Sequence, residues 1–171
     1  MDQTVPQQSP TPQRKLVVGW FSFTCSEDST ILFTELLNTN FDTWKKLVEF
    51  RYLKALKTNN SMQGLDVAFI EGAISSDSQA EEAKIIRANS KYVVAVGSCA
   101  CTGMPSANRN NFTSKEIDDK ISFYLSHFDY SQKVRKLSDV IKVNNLVPGC
   151  PMNIETFQNL LNQYLKFFKI T

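Results

Sequence analysis

Apolar and polar positions fall in blocks along this chain, and the blocks change period. "KLVVGWFSF" (residues 15–23) is a continuous apolar run rich in β-branched and aromatic residues, which predicts a strand buried on both faces. In "DSTILFTELLN" (28–38), Ile31, Leu32, Leu36 and Leu37 recur at helical spacing, with Asp28 or Ser29 as the expected N-cap. "KLVEFRYL" (46–53) predicts a second strand, although its spacing also suits a helix. "DVAFIEG" (66–72) reads as a short buried strand ending at a glycine, "SDSQAEEAKIIRANS" (76–90) as a capped helix, and "KYVVAVGS" (91–98) as a further strand. "SCACTGMPSANRNNF" (98–112) is small, polar and turn-rich, which predicts a loop. "SKEIDDKISFYLSHF" (114–128) predicts a helix, and "DVIKVNNLVPGCP" (139–151) a fifth strand followed by a Pro-Gly-Cys-Pro turn. The last segment, "IETFQNLLNQYLKFF" (154–168), is an amphipathic helix whose stripe of Phe157, Leu160, Leu161, Tyr164 and Phe168 is expected in the core.

Residues 1–14 are polar and proline-rich and read as a disordered lead-in. Residues 15–171 read as a single domain without an internal repeat. Strands alternating with helices predict an α/β fold, a parallel sheet with helices on both faces. Five strands suit the flavodoxin-like order 2-1-3-4-5.

Composition narrows the function classes. At 171 residues the chain can bury a core without cross-links. A formal charge of +2 is too mild to imply nucleic acid or an anionic membrane surface. The single histidine, His127, argues against a histidine-based triad or a histidine-rich zinc site, and it is expected at the surface. No signal peptide, twin-arginine pattern or membrane-spanning run is evident, so no direct membrane insertion is expected and the expected location is cytoplasmic. In that reducing setting cysteines more often serve metal or redox chemistry than bridges.

The cysteines are placed where such chemistry belongs. Open parallel sheets bind ligands beyond the carboxyl ends of their strands. Cys25 follows the first strand, Glu71 and Gly72 end the third, Cys99 and Cys101 follow the fourth, and Cys150 follows the fifth. Thiolates select zinc or iron–sulfur clusters. Structural zinc usually draws on two close cysteine pairs. Here single cysteines come from separate loops beside Gly97, Gly103, Gly149, Pro148 and Pro151, an arrangement closer to a [4Fe–4S] cluster. Glycines let backbone N–H groups approach inorganic sulfide.

"EGAIS" (71–75), "VVAVGSCACTGMP" (93–105) and "VPGCPMN" (147–153) together resemble the small, electron-transfer subunit of [NiFe] hydrogenases, of the cytosolic bidirectional and sulfhydrogenase type, and the related NADH:ubiquinone oxidoreductase 20 kDa subunit. The resemblance runs from Lys15 to about Leu165. It implies one proximal [4Fe–4S] cluster, which the family holds with a C-x-x-C pair after the first strand, a cysteine of the GSCA loop and a cysteine of the GCP turn. Carried across, these are Cys25, Asp28, Cys99 and Cys150, with Asp28 standing where the second cysteine of the pair is expected. Three readings stay open. Asp28 ligates iron through oxygen, as in some F420-reducing relatives. Alternatively Cys25 is the second cysteine of the pair, Ser22 occupies the first position, and Cys101 completes the set. In the third, the fourth corner has no protein ligand.

Cys101 otherwise reads as a small buried residue. Glu71 is expected either to hydrogen-bond near the site or to cap the helix that follows it, and Gly97 and Gly149 to line the cluster. Arg109 reads as a surface-loop residue that a partner could touch. No cysteine follows Cys150, so the resemblance implies one cluster only. The Ni–Fe centre would lie on a separate large subunit, and a diaphorase or another iron–sulfur subunit would exchange electrons with this one. Competing readings are a complex I-like electron-transfer subunit, a docking subunit without a cluster, and a flavin-mononucleotide binder. For the last, "SFTCSEDST" is only partly suited as a phosphate loop.

Overall fold

The computed structural model describes residues 14–171. The proline-rich lead-in, apart from Arg14, lies outside the described residues. The strands are β1 (Leu16–Ser22), β2 (Val48–Leu53), β3 (Leu65–Glu71), β4 (Ser90–Val96) and β5 (Asn145–Val147). The helices are α1 (Asp28–Thr39), α2 (Phe41–Leu47), α3 (Asp77–Ala88), α4 (Gly97–Thr102), α5 (Ser114–Glu116), α6 (Ser122–His127) and α7 (Ile154–Phe167). The strands form one sheet in the order β2-β1-β3-β4-β5, every neighbouring pair parallel. This is the α/β architecture and strand order expected from the sequence.

Because side chains alternate along a strand, each central strand feeds two cores. Val67 and Phe69 of β3 join Trp20, Phe33 and Phe157 beneath α1, α2 and α7. Ala68 and Ile70 point the other way and join Ala80, Ala83, Ile86 and Leu137 beneath α3. The first core is aromatic: Trp20 stacks on Phe33 with ring centroids 4.1 Å apart, and Phe157 meets Trp20 edge-on. The stripe on α7 does what its spacing predicts, with Phe157, Leu160, Leu161 and Tyr164 buried and Phe168 packed against them.

The differences from the sequence reading are local. A helical turn, α2, precedes β2, so Lys46 and Leu47 belong to helix and the strand begins at Val48. Trp44 explains it, because that turn puts the indole into the core against Phe33 and Phe157. The stretch read as a loop after β4 begins instead with α4 and continues as a 3₁₀ segment, Ser106–Asn111. The expected helix over 114–128 is interrupted by a π-type turn at Ile117–Ile121. The fifth strand has only three residues, while Leu137–Asp139 just before it is a 3₁₀ turn.

Asp66 fastens the amino end of the sheet, the end away from the cysteines. Its side chain is 3% exposed and accepts from Arg14 Nη2 and Lys91 Nζ, both at 2.8 Å, and from the Val17 N–H at 3.1 Å. Burial opposes the charge on Asp66, but the Lys91 and Val17 hydrogen bonds and the charges of Lys91 and Arg14 outweigh it and hold the carboxyl below its usual value. A depressed carboxyl stabilises the fold above its unfolded-state pKa, and that contribution fades as pH falls through the folded-state value. Asp66→Asn should therefore cost about 2 kcal/mol at neutral pH, the scale of charge-assisted hydrogen bonds. The deficit should shrink in strong acid, where wild-type Asp66 is itself protonated. Urea unfolding of both proteins at neutral and acid pH checks this, and a deficit independent of pH would contradict it.

Candidate functional site

Sheet register sets the site. Ser22, Glu71, Val96 and Val147 lie in one row across β1, β3, β4 and β5. Each is the last residue of its strand, so the segments carrying Cys25, Cys99 and Cys150 all leave the sheet at the same level. Cys25, Glu71, Gly97, Cys99, Gly149 and Cys150 line one small cleft. Cys99 is buried, Cys25 half-buried and Cys150 exposed, so the cleft opens to solvent on the Cys150 side.

Each segment is pinned by backbone hydrogen bonds. The Cys25 loop is held by Phe23 N–H donating to Glu71 O (2.8 Å) and by a reciprocal pair between Thr24 and Ala73. The α4 segment and the Cys150 turn meet where Ser98 N–H donates to Gly149 O at 2.7 Å. Gly97 and Gly149 have φ of 79° and 118°, conformations L side chains rarely adopt. A Cβ on Gly149 would stand 2.5 Å from Pro151 O, so the turn around Cys150 closes only with glycine there.

Glu71 is the buried acid of the cleft, 4% exposed. Its carboxylate accepts from Ser29 N–H and Thr30 N–H, both at 3.0 Å, and from the Thr30 hydroxyl at 2.7 Å. The Thr30 oxygen in turn accepts from Trp20 Nε1 at 2.8 Å. Glu71 therefore caps α1, the helix before it in sequence. The expectation that it caps the following helix is overturned, since Ser76 caps α3 by accepting from Gln79 N–H. The expected α1 cap also changes. Glu27 occupies the N-cap position at φ 62° without a side-chain cap bond, and Asp28 begins the helix.

Burial pushes the Cys25 thiol above its usual pKa, and the charges of Glu71 and Glu27 add to this against hydrogen bonds from Ser22 and the Glu27 backbone. Ser22 Oγ sits 3.4 Å from Cys25 Sγ, and Ser106 Oγ 3.3 Å from Cys99 Sγ. Asp28 Oδ2 lies 4.0 Å from Cys150 Sγ, at the rim of the cleft, and also accepts from Ser26 Oγ at 2.7 Å. Cys101 is not brought to the cleft. It lies two residues beyond Cys99 on α4, which puts it on the opposite face. Its Sγ points to Ala95 O at 3.5 Å within the second core, and burial raises its pKa to about 11. His127 is exposed and stacks on Phe123. Arg109 is half-buried, donating to Ser131 O at 2.7 Å.

Among the described residues, no three His, Cys, Asp or Glu side chains converge to hold a single metal ion. A larger cleft of about 350 Å³ lies on the β2 side, lined by Ser22, Glu27, Tyr52, Lys54 and Glu82 among others. It contains none of the cysteines, and two carboxylates oppose its one ammonium.

Residues 25–164 match the model of the family described as NADH ubiquinone oxidoreductase, 20 Kd subunit. The chain belongs to this family. Hydrogenase subunits are among the relatives. The gamma subunit of the coenzyme F420 hydrogenase of Methanosarcina barkeri is 32% identical over 98 residues, 56% of this chain and 33% of that protein. The delta subunit of the NAD-reducing hydrogenase HoxS of Cupriavidus necator is 27% identical over 100 residues, 50% of this chain and 48% of that one. The matched segments span less than half the length of these curated relatives. Among solved structures, a chain of an NAD+-reducing [NiFe]-hydrogenase in the H2-reduced state superposes with a TM-score of 0.76 at 20% identity, over 89% of this chain and 92% of that one. A Ni-Fe-Se hydrogenase from Desulfomicrobium baculatum gives 0.57 at 16% identity, over 87% of this chain and 61% of that one. At those identities the likeness is one of fold. The family match begins at Cys25 and encloses Glu71, Cys99 and Cys150.

Sequence reasoning offered Ser29 only as an N-cap and missed Thr30; both join Glu71 to the rest of the site. The signal available was two hydroxyl residues placed one turn before the buried Phe33 on an otherwise amphipathic helix. Glu71→Ala leaves two buried N–H groups and a hydroxyl without an acceptor and should cost about 3 kcal/mol, whereas Glu71→Gln keeps one acceptor oxygen and should cost about 1 kcal/mol. Urea midpoints with unchanged slopes measure both. Equal costs for the two variants would show that the caps do not carry the effect.

Proposed function

We propose that this chain is the small, electron-transfer subunit of a cytoplasmic [NiFe] hydrogenase-type complex, and that Cys25, Cys99, Cys150 and Asp28 hold one [4Fe–4S] cluster. The observation that carries the reading is the single cleft into which three strand ends deliver three cysteines, floored by Gly97 and Gly149. Three thiols and one carboxylate form a donor set soft enough for iron–sulfur chemistry and poor for magnesium or calcium. Donors spread around a cleft suit a cluster, in which each iron takes its own side chain, better than one ion. When bound, such a cluster accepts and releases single electrons.

The chain's own residues do the rest. A small apolar cluster of Ala73, Val134 and Ala107 packs around Cys99 and Cys25 and excludes water from the buried side of the cleft. Ser22 and Ser106 each place a hydroxyl beside a thiol, and hydrogen bonds to ligand sulfur are among the levers that tune a cluster. The Cys101 position supports a set completed by Asp28 over one completed by Cys101. Cys150 and Asp28 are exposed, and so are Ile31, at 57%, and Ile154, at 39%. That open, partly apolar side is the one left for a large subunit bearing the Ni–Fe centre. The electron partner beyond it would be a diaphorase or another iron–sulfur subunit.

Anaerobic reconstitution with ferrous iron and sulfide tests this. The wild-type chain should turn brown, with broad absorbance in the blue and about four irons per chain. Cys99→Ala and Cys150→Ala should lose most iron, and Cys101→Ala should retain it. Asp28→Cys should keep about four irons, and Asp28→Ala about three. A folded wild-type chain that stays colourless would replace this reading with that of a docking subunit. Iron content and spectra unchanged in Asp28→Ala would remove Asp28 from the ligand set.

A further inference from the structure

One buried serine ties together segments that carry the site. Ser29 is 1% exposed and follows Asp28 in the first turn of α1. Its N–H donates to Glu71 Oε1 at 3.0 Å, which fixes it to the end of β3. Its Oγ accepts from Met152 N–H at 3.1 Å, two residues past Cys150. A Cβ built on Gly97, two residues before Cys99, would stand 3.1 Å from the same Oγ, so a side chain there would crowd the hydroxyl. The start of α4 is tied to the same turn by Ser98 N–H donating to Gly149 O at 2.7 Å. We propose that Ser29 is a positioning residue whose hydroxyl fixes the Cys150 turn, and through that turn the start of α4, relative to the Cys25–Asp28 loop. What that spacing serves rests on the iron–sulfur reading above. The spacing itself does not.

The chemistry restricts the residue to serine or a close mimic. Met152 is 2% exposed, so its N–H has no recourse to water and needs the acceptor. Ser29 is 1% exposed and lines the small cleft, so a longer side chain has no solvent to extend into. Alanine removes the acceptor and leaves space. Threonine keeps the acceptor and adds a methyl group. Cysteine is close in size but a weaker acceptor.

The test uses the full chain, first without iron. In Ser29→Ala, exchange of the Met152 amide should quicken at least tenfold, and the amide resonances of Ser98, Cys99, Gly149 and Cys150 should shift, while those of α3 stay in place. Ser29→Thr should restore the Met152 protection. Ser29→Cys, expected to be intermediate, covers the case in which Ser29→Ala does not fold. The second readout follows reconstitution with ferrous iron and sulfide: the electron paramagnetic resonance spectrum of the reduced protein should differ between Ser29→Ala and wild type, and Ser29→Thr should return it toward wild type. Unchanged Met152 exchange in the folded alanine or cysteine variant overturns the tie. Faster exchange with site resonances and reduced spectrum like wild type overturns the positioning role. A wild-type chain that takes up no iron sinks the iron–sulfur reading alone, because the iron-free resonances still judge Ser29.

Discussion

The carboxylate of Glu71 fixes the geometry on which the rest of the site depends. A carboxylate buried at the end of a central strand is costly unless its oxygens are filled with donors. Here they are filled by the first-turn N–H groups and a hydroxyl of α1, whose partial positive charge complements the acid. The bond satisfies both parties, since helix starts carry N–H groups that lack intrahelical acceptors. It also fixes α1 in rotation and height against β3. The Cys25 loop has no freedom left, being held between a strand end and a helix start that are both fixed. Through Thr30 and Trp20 the same acid is joined to the aromatic core.

β3 therefore carries an acid near each end, and each is stabilised differently. Asp66 is met by a guanidinium and an ammonium whose own side chains are largely in solvent. Glu71 is met by backbone N–H groups and a hydroxyl, which occupy little space and bring no mobile side chain into the cleft. A lysine in that place would have added bulk beside Gly97 and Gly149, where even a methyl group meets neighbours. The glycines and the backbone cap thus answer one requirement, a cleft whose walls are main chain.

The elements that sequence made legible are those governed by burial. β1, β3 and β4 are apolar because both faces are covered, and strand order followed from alternation with helices. The gathering of cysteines at one edge was legible for the same reason, because a strand's carboxyl end is visible in the sequence. What escaped depended on single tertiary contacts. α2 exists for Trp44, whose burial outweighs an ambiguous local pattern. α4 lay hidden in glycine, serine and cysteine, residues that read as loop until Gly97 is seen to open, and Gly103 to cap, a helix of six residues. Of the two roles open for Glu71, the sequence could not single out the hydrogen bonds near the site, because a cap from a strand remote in sequence leaves no mark at the helix it serves. Cys99 was read as the ligand and Cys101 as a small buried residue, and the helical conformation of α4 gives the physical reason, turning one in and the other away.

The discontinuity of the thiols has a consequence for how the proposed cluster would be acquired. Cys25, Cys99 and Cys150 are remote in sequence and meet only because β1, β4 and β5 belong to one sheet. An unfolded chain brings no two of these three together to chelate an ion, so binding by all three segments is available only to the assembled fold. On the proposed reading, a bound cluster would act as a latch on the whole topology, since releasing any one of those strands would dissolve the site. β5, short and at the edge of the sheet, must pair with β4 before the Cys150 turn reaches its place, and such sequence-distant parallel pairing is intrinsically slow.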